Sequence, residues 1–284
     1  MAMKILCTFP GKIGDALWSL PTARMISRHF RVPVDFCMTP EHASEGLLRL
    51  IGEQEYIANT YSLPGWTVEY KECMQPRDPM VGGYTDYKYD KVFDLGYAGW
   101  PDQELARYVH RLLLSNYKDV GFPFQLDMSP WIKVQHFAPI KRSIFVGWNH
   151  EWLELKMGLV LALAKSISNT VFCIPYTAGA RHEEFVRINN INEIEMRRTD
   201  IYEAATMLAR SSLYLGCLSA LWVLACAMGK RCVVMEPSEA RWNPIFWWDG
   251  EGRNRMVKGG DGKPTFDARH VRDAVLEELK RCGF

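Results

Sequence analysis

Short apolar runs alternate with amphipathic segments along most of this 284-residue sequence. The apolar runs are bounded by Pro, Gly or polar residues, as buried strands are, and they include KILCTF, PVDFCMT, KVFDLGY, SIFVGW, TVFCIPY, LYLGC and RCVVMEP. After the first run, Ala16, Leu17, Leu20, Ile26 and Phe30 share one face of a predicted helix. Strands that alternate with helices form parallel sheets covered by helices, so the sequence predicts the α/β class.

The alternation breaks once, in the proline-rich stretch GFPFQLDMSPWIKVQHFAPIKR, and then resumes. We therefore predict two Rossmann-like domains, over residues 1–140 and 141–264. A last helix within 265–284, with Asp267 as its N-cap, follows a glycine-rich stretch, and we expect it to fold back toward the N-terminal domain. The carboxyl ends of both sheets should face one cleft, because open α/β sheets bind their ligands at those ends.

Composition and charge exclude several classes of protein. The 34 basic and 33 acidic residues nearly cancel to a formal net charge of +1, so no long-range field attracts DNA or an anionic membrane. The eight cysteines are scattered without a CxxC pair, so we expect neither a metal site nor a disulfide framework. No signal-peptide pattern and no apolar run of roughly 20 residues is visible, so we expect a cytoplasmic protein with at most peripheral membrane contact.

The stretch GKIGD follows the first predicted strand and contains Gly11, Lys12, Gly14 and Asp15. Glycines there allow a tight turn and a close approach by substrate, and the following helix start stabilises an anion. Asp15 is then either the cap of its helix or a general base that takes a proton from a bound hydroxyl. The stretch lacks both the GxGxxG pattern of dinucleotide sites and the Walker pattern of P-loops.

Two residues of the second domain are candidates for phosphate binding. Lys156 follows the strand SIFVGW, where its ammonium either meets a phosphate or is simply solvated at a helix start. Ser219 lies between a strand and a helix, where its hydroxyl and the neighbouring N–H groups either hold an anion or only cap the helix.

Three further polar residues follow strands of the second domain. Glu236 either accepts hydrogen bonds from sugar or ribose hydroxyls or forms an ion pair with Arg241. Asn149 and His150 follow SIFVGW, and the imidazole could donate to a phosphate or a sugar, although a lone loop histidine is more often structural.

Together these features resemble the family 9 glycosyltransferases, the ADP-heptose:lipopolysaccharide heptosyltransferases. In that family a GxxGD turn follows the first strand, and a proline, here Pro21, follows the aspartate. The segment DIYEAATMLARSSLYLGCLSALWVLACAMGKRCVVMEPSEARWNP is similar to the family's second signature in the order of its elements, and YDKVFDL is similar to its mid-domain strand. The resemblance spans nearly the whole chain and implies the GT-B fold.

The resemblance also implies a role for each matching residue. Asp15 would deprotonate the acceptor hydroxyl as it attacks the anomeric carbon of a nucleotide-diphospho-sugar, which inverts the configuration. Lys156 matches the lysine that faces the donor phosphates, and Ser219 matches the small hydroxyl residue of the donor loop. The N-terminal domain would bind the acceptor and the C-terminal domain the donor, with neither a cofactor nor a bound metal.

The chain departs from the family pattern on the donor side. Leu218, Ala220 and Val223 stand where the family has aspartate, glycine and histidine, and Glu236 replaces a glycine. These changes predict either a different nucleotide-sugar donor or a loss of activity.

We therefore expect a hexosyl- or heptosyl-type glycosyltransferase that acts on a saccharide of a cell-surface glycan or lipopolysaccharide. One alternative acceptor is a hydroxymethylated DNA base, which a basic face of Arg24, Arg28, Lys71 and Arg77 would favour. The other alternative is a non-catalytic module that binds a nucleotide or sugar.

Overall fold

The computed structural model contains ten strands and six helices in the part of the chain that it describes. The described residues are 3–9, 12–62, 89–95, 127, 129–135, 138–140, 142–147, 153–176, 194–235, 252–258, 260, 263 and 265–284. They divide into two compact units, Met1–Lys133 and Val134–Phe284.

The N-terminal unit is built on a parallel sheet of four described strands in the order β3-β2-β1-β4. The strands are β1 (Ile5–Phe9), β2 (Val34–Met38), β3 (Ile57–Ser62) and β4 (Lys91–Asp94), and the helices are α1 (Ile13–Phe30) and α2 (Glu45–Gly52). All five residues of β1 are buried, which explains why this strand is a continuous apolar run. This strand order, 3-2-1-4, matches that of the first four strands of the Rossmann fold.

The helix α1 carries Pro21 in its interior, and a distant tryptophan compensates for it. Proline has no N–H, so the carbonyl of Leu17 loses the partner that a helix normally supplies four residues later. The indole N–H of Trp131 donates to this carbonyl at 2.9 Å, and the Trp131 ring lies 5.5 Å from that of Trp18. Trp131 is 2% exposed, so the segment around it is an integral part of the N-terminal core.

Hydrogen bonds explain where one unit ends and the next begins. The side-chain amide of Gln54 accepts from the backbone N–H of Lys133 at 2.8 Å and donates to its carbonyl at 3.1 Å. The backbone N–H of Ile140 instead donates to the carbonyl of Arg210 in the second unit, at 2.9 Å. The predicted boundary at residue 140 therefore lies a few residues too late, because Ile140 already belongs to the C-terminal unit.

The C-terminal unit contains a parallel sheet of six strands in the order β10-β9-β8-β5-β6-β7. The strands are β5 (Ser143–Gly147), β6 (Val171–Tyr176), β7 (Ile194–Arg198), β8 (Leu213–Gly216), β9 (Arg231–Val234) and β10 (Asn254–Met256). The helices are α3 (Leu153–Ser166), α4 (Ile201–Arg210), α5 (Ala220–Ala227) and α6 (Ala268–Arg281). Counted from β5, this is the complete six-strand Rossmann order, in which the direction of winding reverses between β5 and β8.

The last helix, α6, packs within the C-terminal unit. Its residues Val271, Val275 and Leu279 are buried in the same apolar cluster as Ile144 and Val233 of the sheet. The expectation that this helix folds back toward the N-terminal domain is wrong.

A buried carboxylate fixes α6 in this position. Glu278 is completely buried and accepts hydrogen bonds from Arg231 at 3.1 Å and from Arg281 at 2.9 Å. A buried charge is tolerated only when it is paired, so Glu278 must stay beside β9, which carries Arg231.

Most of the predicted elements are present, and three strands were missed. The strands β3, β7 and β10 have no counterpart in the sequence analysis, whereas all other described strands and all six described helices do. Helices were also predicted from the amphipathic pattern at ASEGLLRLIG, LKMGLVLALAKSIS, DIYEAATMLARS and ALWVLACAMG, and all four are present. A further predicted helix, DQELARYVHRLLLSN, lies outside the described residues. Among the described helices, none has both the length and the apolar character needed to cross a bilayer.

The pairing of Pro21 with Trp131 can be tested by a double-mutant cycle. Trp131→Phe leaves the Leu17 carbonyl buried without a donor, whereas Pro21→Ala restores a backbone N–H to it. We expect Trp131→Phe to cost about 1–2 kcal/mol more stability with Pro21 present than in the Pro21→Ala background. Urea unfolding measures the difference, and the cavity left by the smaller ring cancels between the two backgrounds. An equal cost in both would mean that the hydrogen bond contributes nothing.

Candidate functional site

The topology of each sheet points to one edge as the place for a ligand. In open parallel sheets, ligands bind beyond the carboxyl ends of the strands, where the strand order reverses. In the N-terminal unit this point lies between β1 and β4, where Thr8 pairs with Asp94. In the C-terminal unit it lies between β5 and β8, where Gly147 pairs with Gly216. The candidate site residues are those that follow these strands.

Asp15 lies in the first turn of α1, directly beyond the carboxyl end of β1. The helix begins at Ile13, its N-cap is Lys12, and Gly14 and Asp15 are both half-buried. The interpretation of Asp15 as the cap is therefore wrong, because the cap lies three residues earlier. The positive end of the helix dipole favours the ionised form of a carboxylate in this turn. Of the predicted turn residues, Gly11 lies outside the described residues.

The corresponding edge of the C-terminal sheet is closed by a tyrosine. Tyr214 of β8 is completely buried, and its ring stacks on Phe145 of β5 at 6.1 Å between centroids. A Cβ atom on Gly147 would come within 2.5 Å of the Tyr214 ring, and one on Gly216 within 2.7 Å of its hydroxyl. Both strands end in glycine because the aromatic side chain occupies the space that their side chains would need.

Two hydrogen bonds hold the loop that leads from this tyrosine to the start of α5. The Tyr214 hydroxyl donates to the carbonyl of Cys217 at 2.9 Å. Ser219 is the N-cap of α5, and its hydroxyl oxygen accepts from the backbone N–H of Trp222 at 3.4 Å. The loop is thus attached to β8 through Cys217 and to α5 through Ser219.

The helix α5 presents an uncharged start to the carboxyl edge. Ser219 caps it as predicted, and its first turn contains no acidic residue. Such a start favours an anion, since its N–H groups and helix dipole are not neutralised by a carboxylate. Leu218 and Ala220 beside the cap are half-buried, whereas Val223 is only 5% exposed. Val223 is therefore part of the core.

The other predicted donor residues are only partly described. Lys156 lies near the start of α3, the helix that follows β5. Asn149, His150 and Glu236 lie outside the described residues. Where side chains are described, no three His, Cys, Asp or Glu residues come together as metal ligands.

Two of the four residues of the predicted basic face, Arg24 and Arg28, are described, and both are engaged within the protein rather than free to bind DNA. Arg24 is 5% exposed, and its guanidinium donates to the backbone carbonyls of Asp127, Ser129 and Pro130. Arg28 donates to the carboxylate of Asp127 at 2.6 Å. Burial alone would raise the pKa of Asp127, but hydrogen bonds from Ser129 and Arg28 hold it well below its usual range, so this pair stays charged. Lys71 and Arg77 lie outside the described residues.

Sequence reasoning missed the role of Tyr214. The signal was present in the sequence. Both SIFVG and LYLG end in glycine, and in LYLG an aromatic residue stands two positions before that glycine. Side chains two apart in a strand lie on the same face, so Tyr214 covers Gly216.

The sequence matches no family model and no curated protein. Several solved structures share its fold over nearly the whole chain. A family 9 glycosyltransferase from Veillonella parvula has a TM-score of 0.66 at 10% identity and covers 99% of this chain and 98% of its own. The E. coli heptosyltransferase WaaC, solved with ADP-2-deoxy-2-fluoro heptose, has a TM-score of 0.63 at 13% identity and covers 97% of this chain and 99% of its own.

The third structure has a different activity in its name. The UDP-GlcNAc 2-epimerase from Neisseria meningitidis, bound to UDP-GlcNAc, has a TM-score of 0.54 at 13% identity and covers 98% of this chain and 92% of its own. At these identities the comparisons establish the fold alone. They confirm the predicted fold class, two Rossmann-like units of the GT-B kind, and the resemblance to family 9 glycosyltransferases at the level of structure.

The fit between Tyr214 and the two glycines predicts a strong effect from one methyl group. Gly216→Ala would drive its Cβ into the carbonyl oxygen of Gly147 and the Tyr214 hydroxyl, so we expect a loss of about 1–3 kcal/mol. Gly158→Ala is the matched control, because this glycine lies exposed within α3 with no atom near the added methyl. It should gain about 0.5–1 kcal/mol from helix propensity. Thermal unfolding measures both, and equal midpoints would contradict the packing described.

Proposed function

We propose that this protein is an inverting glycosyltransferase that moves a sugar from a nucleotide-diphospho-sugar to a hydroxyl group. The observation that carries the proposal is Asp15, a carboxylate in the first turn of α1 at the carboxyl end of β1. It occupies the edge at which open α/β sheets bind substrates. The GT-B fold shared with sugar-nucleotide enzymes supports the same conclusion.

Asp15 acts on the acceptor. Its carboxylate accepts the proton of the attacking hydroxyl, and the hydroxyl oxygen forms a bond to the anomeric carbon of the donor. The bond from that carbon to the diphosphate oxygen breaks on the opposite face, and the electron pair leaves with the nucleoside diphosphate. The configuration at the anomeric carbon is therefore inverted, and the N-terminal unit binds the acceptor.

The C-terminal unit binds the donor. The start of α5 is suited to bind an anion, because its first turn contains no acidic residue and Ser219 supplies a hydroxyl beside its N–H groups. Lys156, near the start of α3, adds a positive charge for the phosphates. The other predicted donor residues, Asn149, His150 and Glu236, stay in this proposal as contacts to phosphate or sugar. Helix dipole and cations then stabilise the leaving diphosphate, and the proposal needs no metal.

A saccharide of a cell-surface glycan or lipopolysaccharide is the acceptor we favour, in a cytoplasmic reaction. The near-neutral formal charge of +1 disfavours DNA. So do Arg24 and Arg28, which are engaged by the carbonyls and carboxylate of the segment around Asp127.

The second candidate function is a non-catalytic nucleotide- or sugar-binding module. Val223 favours it, because a buried apolar side chain stands where the resemblance expects a histidine. Leu218 favours it for the same reason, as it replaces an acidic residue of the donor loop.

A screen of nucleotide-sugars separates the two candidates. Purified protein is incubated with ADP-, UDP-, GDP- and CDP-sugars, and free nucleoside diphosphate is measured with and without saccharide acceptors. A glycosyltransferase releases the diphosphate of one donor, even slowly by hydrolysis to water. A binding module releases none, although it shifts the unfolding temperature when its nucleotide is present. Release from none of the four would contradict the proposed activity.

The role of Asp15 has a matched control in the same unit. Asp15→Asn keeps the size of the side chain but cannot accept a proton, so we expect turnover to fall by about 10²–10⁴-fold with donor affinity changed less than about twofold. Glu45→Gln removes a carboxylate from the first turn of α2, the helix that follows the neighbouring strand β2. It should leave turnover unchanged. Undiminished turnover in Asp15→Asn would exclude Asp15 as the base.

A further inference from the structure

We propose that Tyr214 is the positioning residue of the donor site, in that its hydroxyl holds the loop between β8 and α5 in the shape that binds the diphosphate of a nucleotide donor. This inference rests on the proposed function for the identity of the ligand. The positioning itself rests on the burial of Tyr214 and on its hydrogen bond to the carbonyl of Cys217.

The ring of Tyr214 lies at the point where the strand order of the C-terminal sheet reverses. A Rossmann-like sheet binds its ligand at this position. The ring is completely buried, so it does not contact a ligand itself. The glycines at the ends of β5 and β8 make room for the ring, so they do not provide an open space for a pyrophosphate. The ligand must therefore be bound above the ring, by the loop.

Hydrogen bonds hold this loop at two residues. The Tyr214 hydroxyl donates its proton to the Cys217 carbonyl at 2.9 Å. The Ser219 hydroxyl in turn accepts from the backbone N–H of Trp222. Burial raises the pKa of Tyr214 well above its ordinary value, so the phenol remains a donor throughout the physiological pH range. The loop is thus held by Tyr214 at Cys217 and by the cap of α5 at Ser219.

Binding of the diphosphate depends on the conformation of this loop. The N–H groups at the start of α5 bind an anion only if the loop before them is held in one conformation. The helix itself is anchored elsewhere, by the indole N–H of Trp222, which donates to Asn254 at 2.9 Å. Loss of the Tyr214 hydroxyl should therefore loosen the loop and the cap while α5 stays in place. The effect should fall on the affinity for the diphosphate and much less on the stability of the unit.

The test compares Tyr214→Phe with Tyr56→Phe in the full-length protein. Tyr56 is the matched control, because it is 5% exposed and its hydroxyl also donates to a backbone carbonyl, that of Trp131, at 2.7 Å in the N-terminal unit. Two properties are measured. One is amide hydrogen exchange at residues 219–223 without ligand, and the other is the dissociation constant for ADP, UDP, GDP and CDP by calorimetry.

We expect Tyr214→Phe to speed amide exchange at residues 219–223 by about 5–10-fold and to weaken the best-bound diphosphate by about 5–20-fold, as one lost hydrogen bond predicts. Tyr56→Phe should change neither. Unchanged exchange and affinity in Tyr214→Phe would overturn the inference, as would an equal loss of affinity in Tyr56→Phe. If the wild-type protein binds none of the four diphosphates, the proposed function fails. The exchange measurement then still decides whether Tyr214 holds the loop.

Discussion

Parallel hydrogen bonding between strands is the constraint on which the rest of this structure depends. All described strand pairs are parallel, so the carboxyl ends of the strands in each unit lie along one edge of its sheet. The helices that follow those strands begin at the same edge and direct their free N–H groups toward it. Asp15 in one unit and Ser219 in the other owe their places to this rule. Neither residue needs a special local structure beyond its helix start.

Buried aromatic side chains complete what the backbone leaves unfinished in both units. Trp131 donates to the carbonyl that Pro21 leaves without a partner, and Tyr214 bonds the carbonyl of Cys217 at the end of β8. In each case a hydrogen-bonding tip on an apolar ring satisfies a polar group where water has no access. Trp131 thereby helps to hold α1, and Tyr214 helps to hold the loop that leads into α5.

Burial on both faces makes a strand easy to recognise in the sequence. β1 and β5 are entirely buried and appear in the sequence as apolar runs. The missed strands β3, β7 and β10 all lie at an edge of the sheets formed by the described strands, and their sequences are more polar, as in IANTYS and IEMRR. The position of Asp15 followed from the order of strand, turn and helix. The packing of α6 depends on the distant pair of Glu278 and Arg231, and no local pattern contains it.

The central claim is that the C-terminal unit holds a nucleotide donor through the loop before α5 while the N-terminal unit supplies the base. Amide hydrogen exchange of the full-length protein, with and without a saturating nucleoside diphosphate, tests this division most directly. The account predicts slower exchange at residues 216–223, with no comparable change within residues 1–133. Slower exchange confined to residues 1–133, or no change anywhere at a concentration that saturates binding, would contradict it.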